Sequence, residues 1–123
     1  MNISIIIPAK NEEESIPELC QWISRVMQTH GLTYEVIFID DGSTDGSLEK
    51  IEKLSISYPN INFMSFSKNF GHQVALTAGL DNAKGDAVIA MDGDMQHPPE
   101  VIPEMLKLWS QGYDIVYTVR KDT

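Results

Sequence analysis

Residues 86–100 read DAVIAMDGDMQHPPE. The apolar run at 87–91 is short and bounded by polar residues, the pattern of a buried strand. It stops at Asp92 and Asp94, so both carboxylates stand where that strand leaves its sheet. Two acids at such a point repel each other unless a cation lies between them or water screens them. Hard oxygen ligands of this kind suit magnesium or manganese, above all when a substrate phosphate completes the shell. Gln96 offers a further neutral oxygen, or is a solvated loop amide. His97, before Pro98, is either a helix cap or a phosphate contact. The stretch points first to a metal-assisted reaction on a phosphate-bearing substrate.

Outward from this stretch, strand-like and helix-like patterns alternate. Residues 3–7 form a β-branched run closed by Pro8. Ile16, Leu19, Cys20, Ile23, Val26 and Met27 follow at helical spacing, with Glu12, Glu13 and Glu14 expected in the first turn, where the helix dipole favours acids. Gly31 is expected to end that helix. Residues 34–39 predict a second strand, stopped by Asp40-Asp41-Gly42, and a helix follows from about Thr44. Pro59-Asn60 makes a turn into a third strand at 61–66. Phe70-Gly71-His72 leads into a third helix, and Lys84-Gly85-Asp86 turns into the strand at 87–91. Pro98-Pro99 opens a fourth helix, where proline is tolerated in the first turn. Gly112 ends it before a fifth strand at 114–119. This β-α order predicts an α/β fold, a mostly parallel sheet with helices on both faces. In such sheets ligands bind outside the carboxyl ends of the strands. The clusters at 8–12, 40–43, 67–69 and 92–94 all follow strands, so the fold should gather them on one edge.

The chain has 123 residues, enough for one domain with a real core. Its net charge of −9 argues against a broad nucleic-acid-binding surface. The single cysteine, Cys20, excludes an internal disulfide and sits in a helical pattern, where a buried apolar role is expected. No basic region followed by an apolar stretch opens the sequence, and no apolar run approaches the ~20 residues of a membrane-spanning helix.

Each cluster also has a plain structural reading. Asp40-Asp41-Gly42-Ser43-Thr44-Asp45-Gly46 carries the residues that turns and helix caps prefer. Yet two adjacent acids at a strand end are costly unless something uses one. A carboxylate there can accept from a pyrimidine N–H or from ribose hydroxyls. The segment Pro8-Ala9-Lys10-Asn11-Glu12 brings a turn, an amide and a carboxylate to the same edge, or is a connection capped by Asn11. Lys10 can face phosphate, and Lys68, Asn69 and His72 have the same standing. Both tryptophans read as core.

Four segments in fixed order, IIIPAKNEEESI, VIFIDDGSTDGS, SKNFGHQVALTAGL and AMDGDMQHPPE, resemble the family-2 glycosyltransferases of the GT-A nucleotide-sugar-binding fold. Within that family the chain looks most like the polyprenyl-phosphate sugar transferases of the dolichyl-phosphate mannose synthase type. The resemblance implies that Pro8, Ala9, Lys10, Asn11 and Glu12 line the nucleotide site, and that Asp40 or Asp41 bonds to a uracil or guanine edge. It implies Lys68 beside the nucleotide, Asp92 near ribose and metal, Asp94 as the principal metal ligand and Gln96 as another. Arg120 resembles an arginine that approaches the donor phosphates. Lys10 stands where the family usually has tyrosine, and Gly93 replaces a common alanine. Members continue well beyond the fifth strand, so residues 1–123 are expected to be one donor-binding domain cut before its acceptor-binding half.

The implied reaction is transfer of a sugar, with inversion, from a UDP- or GDP-sugar, uridine being favoured, to a polyprenyl phosphate. Magnesium or manganese would assist departure of the nucleotide diphosphate, with Asp92, Asp94 and Arg120 as the catalytic set. A lipid phosphate oxygen is already anionic and needs no strong base, whereas a saccharide hydroxyl would need one. Alternatives are that saccharide acceptor, a fragment that binds nucleotide without activity, and a phospho-accepting receiver domain. The last needs an acidic pair after the first strand, where this chain has Pro-Ala-Lys. The parent protein is expected at the cytoplasmic face of a membrane. A sheet cut after its fifth strand could also pair edge to edge with another copy.

Overall fold

A computed structural model describes residues 2–91, 102–104, 107, 116 and 117. The elements run β1 (Asn2–Ala9), α1 (Ser15–Thr29), β2 (Thr33–Asp41), α2 (Ser47–Ser57), β3 (Ile61–Phe66), α3 (His72–Asn82), β4 (Ala87–Ala90) and β5 (Val116–Tyr117). Residues 102–104 and 107 are helical, within the expected fourth helix. All five strands are parallel, in the order β3-β2-β1-β4-β5.

The largely apolar run of β1, broken by buried Ser4, has a direct physical cause. Ile3, Ile5 and Ile7 pack under α1 and α2, together with Val36, Phe38, Leu19, Ile23, Ile51 and Ile89. Ile6 points to the other face, where it joins Ile37, Ile39 and Ala75 of α3. A strand buried on both faces has no polar side to alternate with. Helices therefore cover both faces, as the alternation of patterns predicts. Cys20 lies in the larger core, where burial pushes its thiol up to about 12, so it stays protonated and unreactive at neutral pH. Trp22 packs against the same core, half-buried; Trp109 lies outside the described residues.

Several boundaries differ from the sequence reading: β1 runs through Pro8 to Ala9, and α2 begins at Ser47 instead of about Thr44. β2 runs on to Asp41, so Asp40 and Asp41 are strand residues paired with Ser65 and Phe66. α1 begins at Ser15 instead of winding through Glu12, Glu13 and Glu14. The backbone N–H groups of Asn11, Glu12 and Glu13 donate to Ser43, Ser47 and Asp45 across the neighbouring loop, and Glu12 C=O accepts those of Ser15 and Ile16, so the glutamates form a turn that leads into the helix.

The strand order reverses between β1 and β4, and Pro8 opens the sheet there. Ile6 C=O accepts the N–H of Met91 at 2.9 Å, so even-numbered residues of β1 present their backbone to β4. Pro8 is the next such residue and has no N–H to give. The β1–β4 register accordingly stops at Ile6 with Ala90, while β1 stays paired with β2 as far as Ala9 with Asp40. The crevice at a reversal of strand order is where open α/β sheets bind ligands.

Gly79 lets α3 lie close on the sheet. A Cβ there would overlap Ile6 Cγ2 and come within 2.9 Å of Ile39 Cδ1. Helix propensity favours alanine over glycine by about 1 kcal/mol, whereas overpacking a core costs about 1–3 kcal/mol. Packing wins by this comparison. Gly79→Ala should lower stability by about 1 kcal/mol in urea unfolding, and an increase in stability would contradict the close approach.

Candidate functional site

Adjacent residues of a strand point to opposite faces. Asp40 therefore shares the α1/α2 face with Phe38, and Asp41 shares the α3 face with Ile39. This alternation separates two carboxylates that the sequence places side by side, and it gives them different surroundings. Both are buried, at 2% and 6% exposure.

Asp41 is fully engaged. Its Oδ1 accepts the N–H of Phe70 at 2.8 Å, and its Oδ2 accepts that of Gly71 at 3.1 Å. Asp40 is half engaged. Its Oδ2 accepts from Ser65 Oγ at 3.3 Å, while Oδ1 is buried with no hydrogen-bond partner among the described residues. A buried acceptor left unpaired costs about 1–3 kcal/mol, and such groups are rare outside functional sites. Ala9, the register partner of Asp40, is buried and small, which leaves room beside the carboxylate.

The β1–α1 and β2–α2 loops are stitched into one rim. Asn11 adopts a left-handed backbone at φ 56°, a conformation asparagine tolerates better than most residues. Its Oδ1 accepts the N–H of Thr44 at 2.8 Å, and its own N–H donates to Ser43 Oγ at 3.0 Å. Glu12 N–H donates to Ser47 Oγ at 2.8 Å. Asp45 accepts from Ser47 N–H at 2.9 Å and from Glu13 N–H at 3.4 Å. Desolvation works to raise the Asp45 pKa, but the hydrogen bonds from Ser47 and Glu13 outweigh it and hold the carboxyl below its ordinary value. Such a carboxylate adds stability above its unfolded pKa, about 3.9, and loses it as pH falls through the lower folded value.

The β3–α3 segment closes the same edge. Lys68 Nζ lies 5.2 Å from the centre of the Phe70 ring, and Phe66 braces that ring edge-on at 5.5 Å. The structure thus brings Pro8, Ala9, Lys10, Asn11, Glu12, Asp40, Asp41 and Lys68 to the carboxyl edge of β1, β2 and β3. Asp92, Asp94, Gln96, His97 and Arg120 lie outside the described residues. β4 ends at Ala90, and Met91 after it is buried. No group of three metal-ligating side chains occurs among the described residues. Asp45, Ser47, Ser65 and Phe70 are the site's unanticipated members. The sequence marks Asp45 only as a turn-former, and nothing local marks Ser47 or Ser65. A cavity of about 330 Å³ lined by Cys20, Arg25, Tyr34, Leu54 and Ile61 lies toward the opposite end of the strands.

A family model described as Glycosyl transferase family 2 matches residues 4–123. The bactoprenol glucosyl transferase of Shigella phage SfV is 43% identical over 122 residues, covering 99% of this chain and 40% of that protein. The undecaprenyl-phosphate 4-deoxy-4-formamido-L-arabinose transferase of Aeromonas hydrophila is 40% identical over 121 residues, covering 98% of this chain and 37% of that protein. The structure of S. aureus TarS 1-349 in complex with UDP-GlcNAc matches with a TM-score of 0.70 and 25% identity, over 90% of this chain and 32% of that one. The chain spans about two fifths of the length of the curated relatives it matches.

Gly42 joins the two halves of the edge. Its φ is 71°, and a Cβ there would stand 2.5 Å from both Asn69 N and Lys68 C. These are backbone atoms, which cannot swing aside. Gly42→Ala should cost about 2–4 kcal/mol in chemical denaturation, from a left-handed φ and a steric clash together. A cost below about 1 kcal/mol would show that the segment at 68–69 is not seated on Gly42.

Proposed function

Because the chain belongs to glycosyl transferase family 2, we propose that it is the donor-binding part of an enzyme moving a sugar from a nucleotide diphosphate to a polyprenyl phosphate. The observation that carries the donor site is the buried, unpaired Oδ1 of Asp40 at the strand edge. The imide N–H of uracil is a donor of the kind that this oxygen lacks. Guanine presents N–H donors as well, and the TarS complex with UDP-GlcNAc favours uridine. The 8–12 segment beside Asp40 would meet base and ribose, and Lys10 and Lys68 would meet the phosphates.

Asp92, Asp94 and Gln96 are a hard oxygen set of the kind magnesium and manganese take, at the end of the strand beside the opened crevice. A divalent cation held there would neutralise charge on the departing nucleotide diphosphate. Arg120 would add a fixed positive charge to the same oxygens. The acceptor oxygen would attack the anomeric carbon opposite the leaving group, which inverts that carbon. A polyprenyl phosphate is anionic before it arrives, so the chain need supply no strong base for the attack. The bactoprenol and undecaprenyl-phosphate relatives are the ground for choosing this acceptor over a saccharide hydroxyl. An acceptor of this kind places the parent protein at the cytoplasmic face of a membrane. No described helix is long and apolar enough to cross one.

Titration calorimetry with UDP and with GDP, each with and without manganese, tests the donor site. Binding of one nucleotide should depend on metal and lose that dependence in Asp94→Ala. Asp40→Asn should weaken the same nucleotide about 10- to 100-fold, since a hydrogen bond to a charged acceptor contributes about 1.5–3 kcal/mol. Absence of binding by either nucleotide would overturn the proposal.

A further inference from the structure

We infer that Asp41 is a positioning residue of the donor site: it clamps the segment at 68–71 to the end of β2, and so holds Lys68 at the nucleotide without touching the nucleotide itself. This rests on the donor-site reading of the strand edge and divides the labour of its acidic pair.

The geometry carries the inference in three steps. Both carboxylate oxygens of Asp41 are spent on consecutive backbone N–H groups, those of Phe70 and Gly71. Each oxygen of Asp41 already accepts one backbone N–H, and the side chain is 6% exposed, which leaves a ligand little access to it. The clamped segment is also seated on the next residue of the β2 end, because Lys68 and Asn69 lie where a side chain on Gly42 would be. Asn69 Oδ1 adds a third bond, to the N–H of Gly71, at 3.0 Å. Finally, the fixed backbone fixes an aromatic shelf. Phe70, braced edge-on by Phe66, lies under the Lys68 ammonium, with 49% of its own surface exposed. An ammonium over an aromatic face is attracted by the ring quadrupole, which narrows the positions that this flexible side chain samples. The path of influence runs from Asp41 through the Phe70 backbone and ring to Lys68. Asp40, on the opposite face, is left to read the base.

A double-mutant cycle on nucleotide affinity separates this role from direct contact. Asp41→Asn keeps one oxygen for the Phe70 N–H and turns an amide toward that of Gly71, so it loosens the clamp with less risk to folding than Asp41→Ala. Its expected effect is a 3- to 10-fold loss of affinity for whichever of UDP or GDP the chain binds. In a Lys68→Ala background the same change should cost less than twofold, because coupled residues are not additive. The preference between UDP and GDP should survive Asp41→Asn but shift in Asp40→Asn. Additive losses, or a base preference altered by Asp41→Asn, would overturn the inference while leaving the donor site standing. Failure of the unaltered chain to bind either nucleotide would overturn both.

Discussion

The missing N–H of Pro8 is the constraint on which the site depends. A parallel sheet with helices on both faces tends toward continuous pairing, because every unpaired backbone group inside it is costly. At Pro8 the β1–β4 ladder has no donor to continue with, while the β1–β2 ladder, using the odd-numbered residues, goes on to Ala9. The ladder therefore ends on one side and continues on the other, at the position where the strand order reverses, and one residue's chemistry sets that difference.

Around that opening the polar residues divide into those that build the rim and those left over for a ligand. Asn11, Ser43, Asp45 and Ser47 spend their groups on one another's backbones. Asp41 spends its carboxylate on Phe70 and Gly71. The rim has to be built in this way because short loops at a strand edge expose backbone N–H groups that no regular element satisfies. Once these needs are met, Asp40 Oδ1 is the buried acceptor without a partner among the described residues. Its isolation is informative because its neighbours are so thoroughly used.

Much of this was legible in the sequence, for identifiable reasons. The mostly apolar runs at 3–7 and 34–39, interrupted by Ser4 and Glu35, gave the strands, because burial on both faces leaves little polar alternation. Helical spacing gave α1 and α2 their buried faces. What the pattern could not give was the end of β2. Asp40-Asp41-Gly42 carries the composition of a turn, yet pairing with Ser65 and Phe66 draws both acids into the strand. The entry to α1 was read a few residues early: Glu12, Glu13 and Glu14 form the turn that leads in, with Glu12 C=O accepting from Ser15 and Ile16, and the regular helix starts at Ser15. The placement of the clusters at 8–12, 40–43 and 67–69 on one edge followed from the β-α order alone.

The acidic pair shows why a sequence motif under-determines its chemistry. Read as letters, Asp40 and Asp41 are equivalent and mutually repulsive. In a strand, alternation sends one to the face of α1 and α2 and the other to the face of α3, and burial removes the water that would have made them alike. Each then takes its character from its own face. On the α3 side Asp41 accepts the N–H groups of Phe70 and Gly71 at the start of a helix, the latter shared with Asn69 Oδ1. On the α1/α2 side the neighbours are Ala9, which has no polar group, and Ser65, whose hydroxyl satisfies a single oxygen. Among the described residues nothing else offers Asp40 Oδ1 a donor, and on the proposed reading a nucleotide base supplies it.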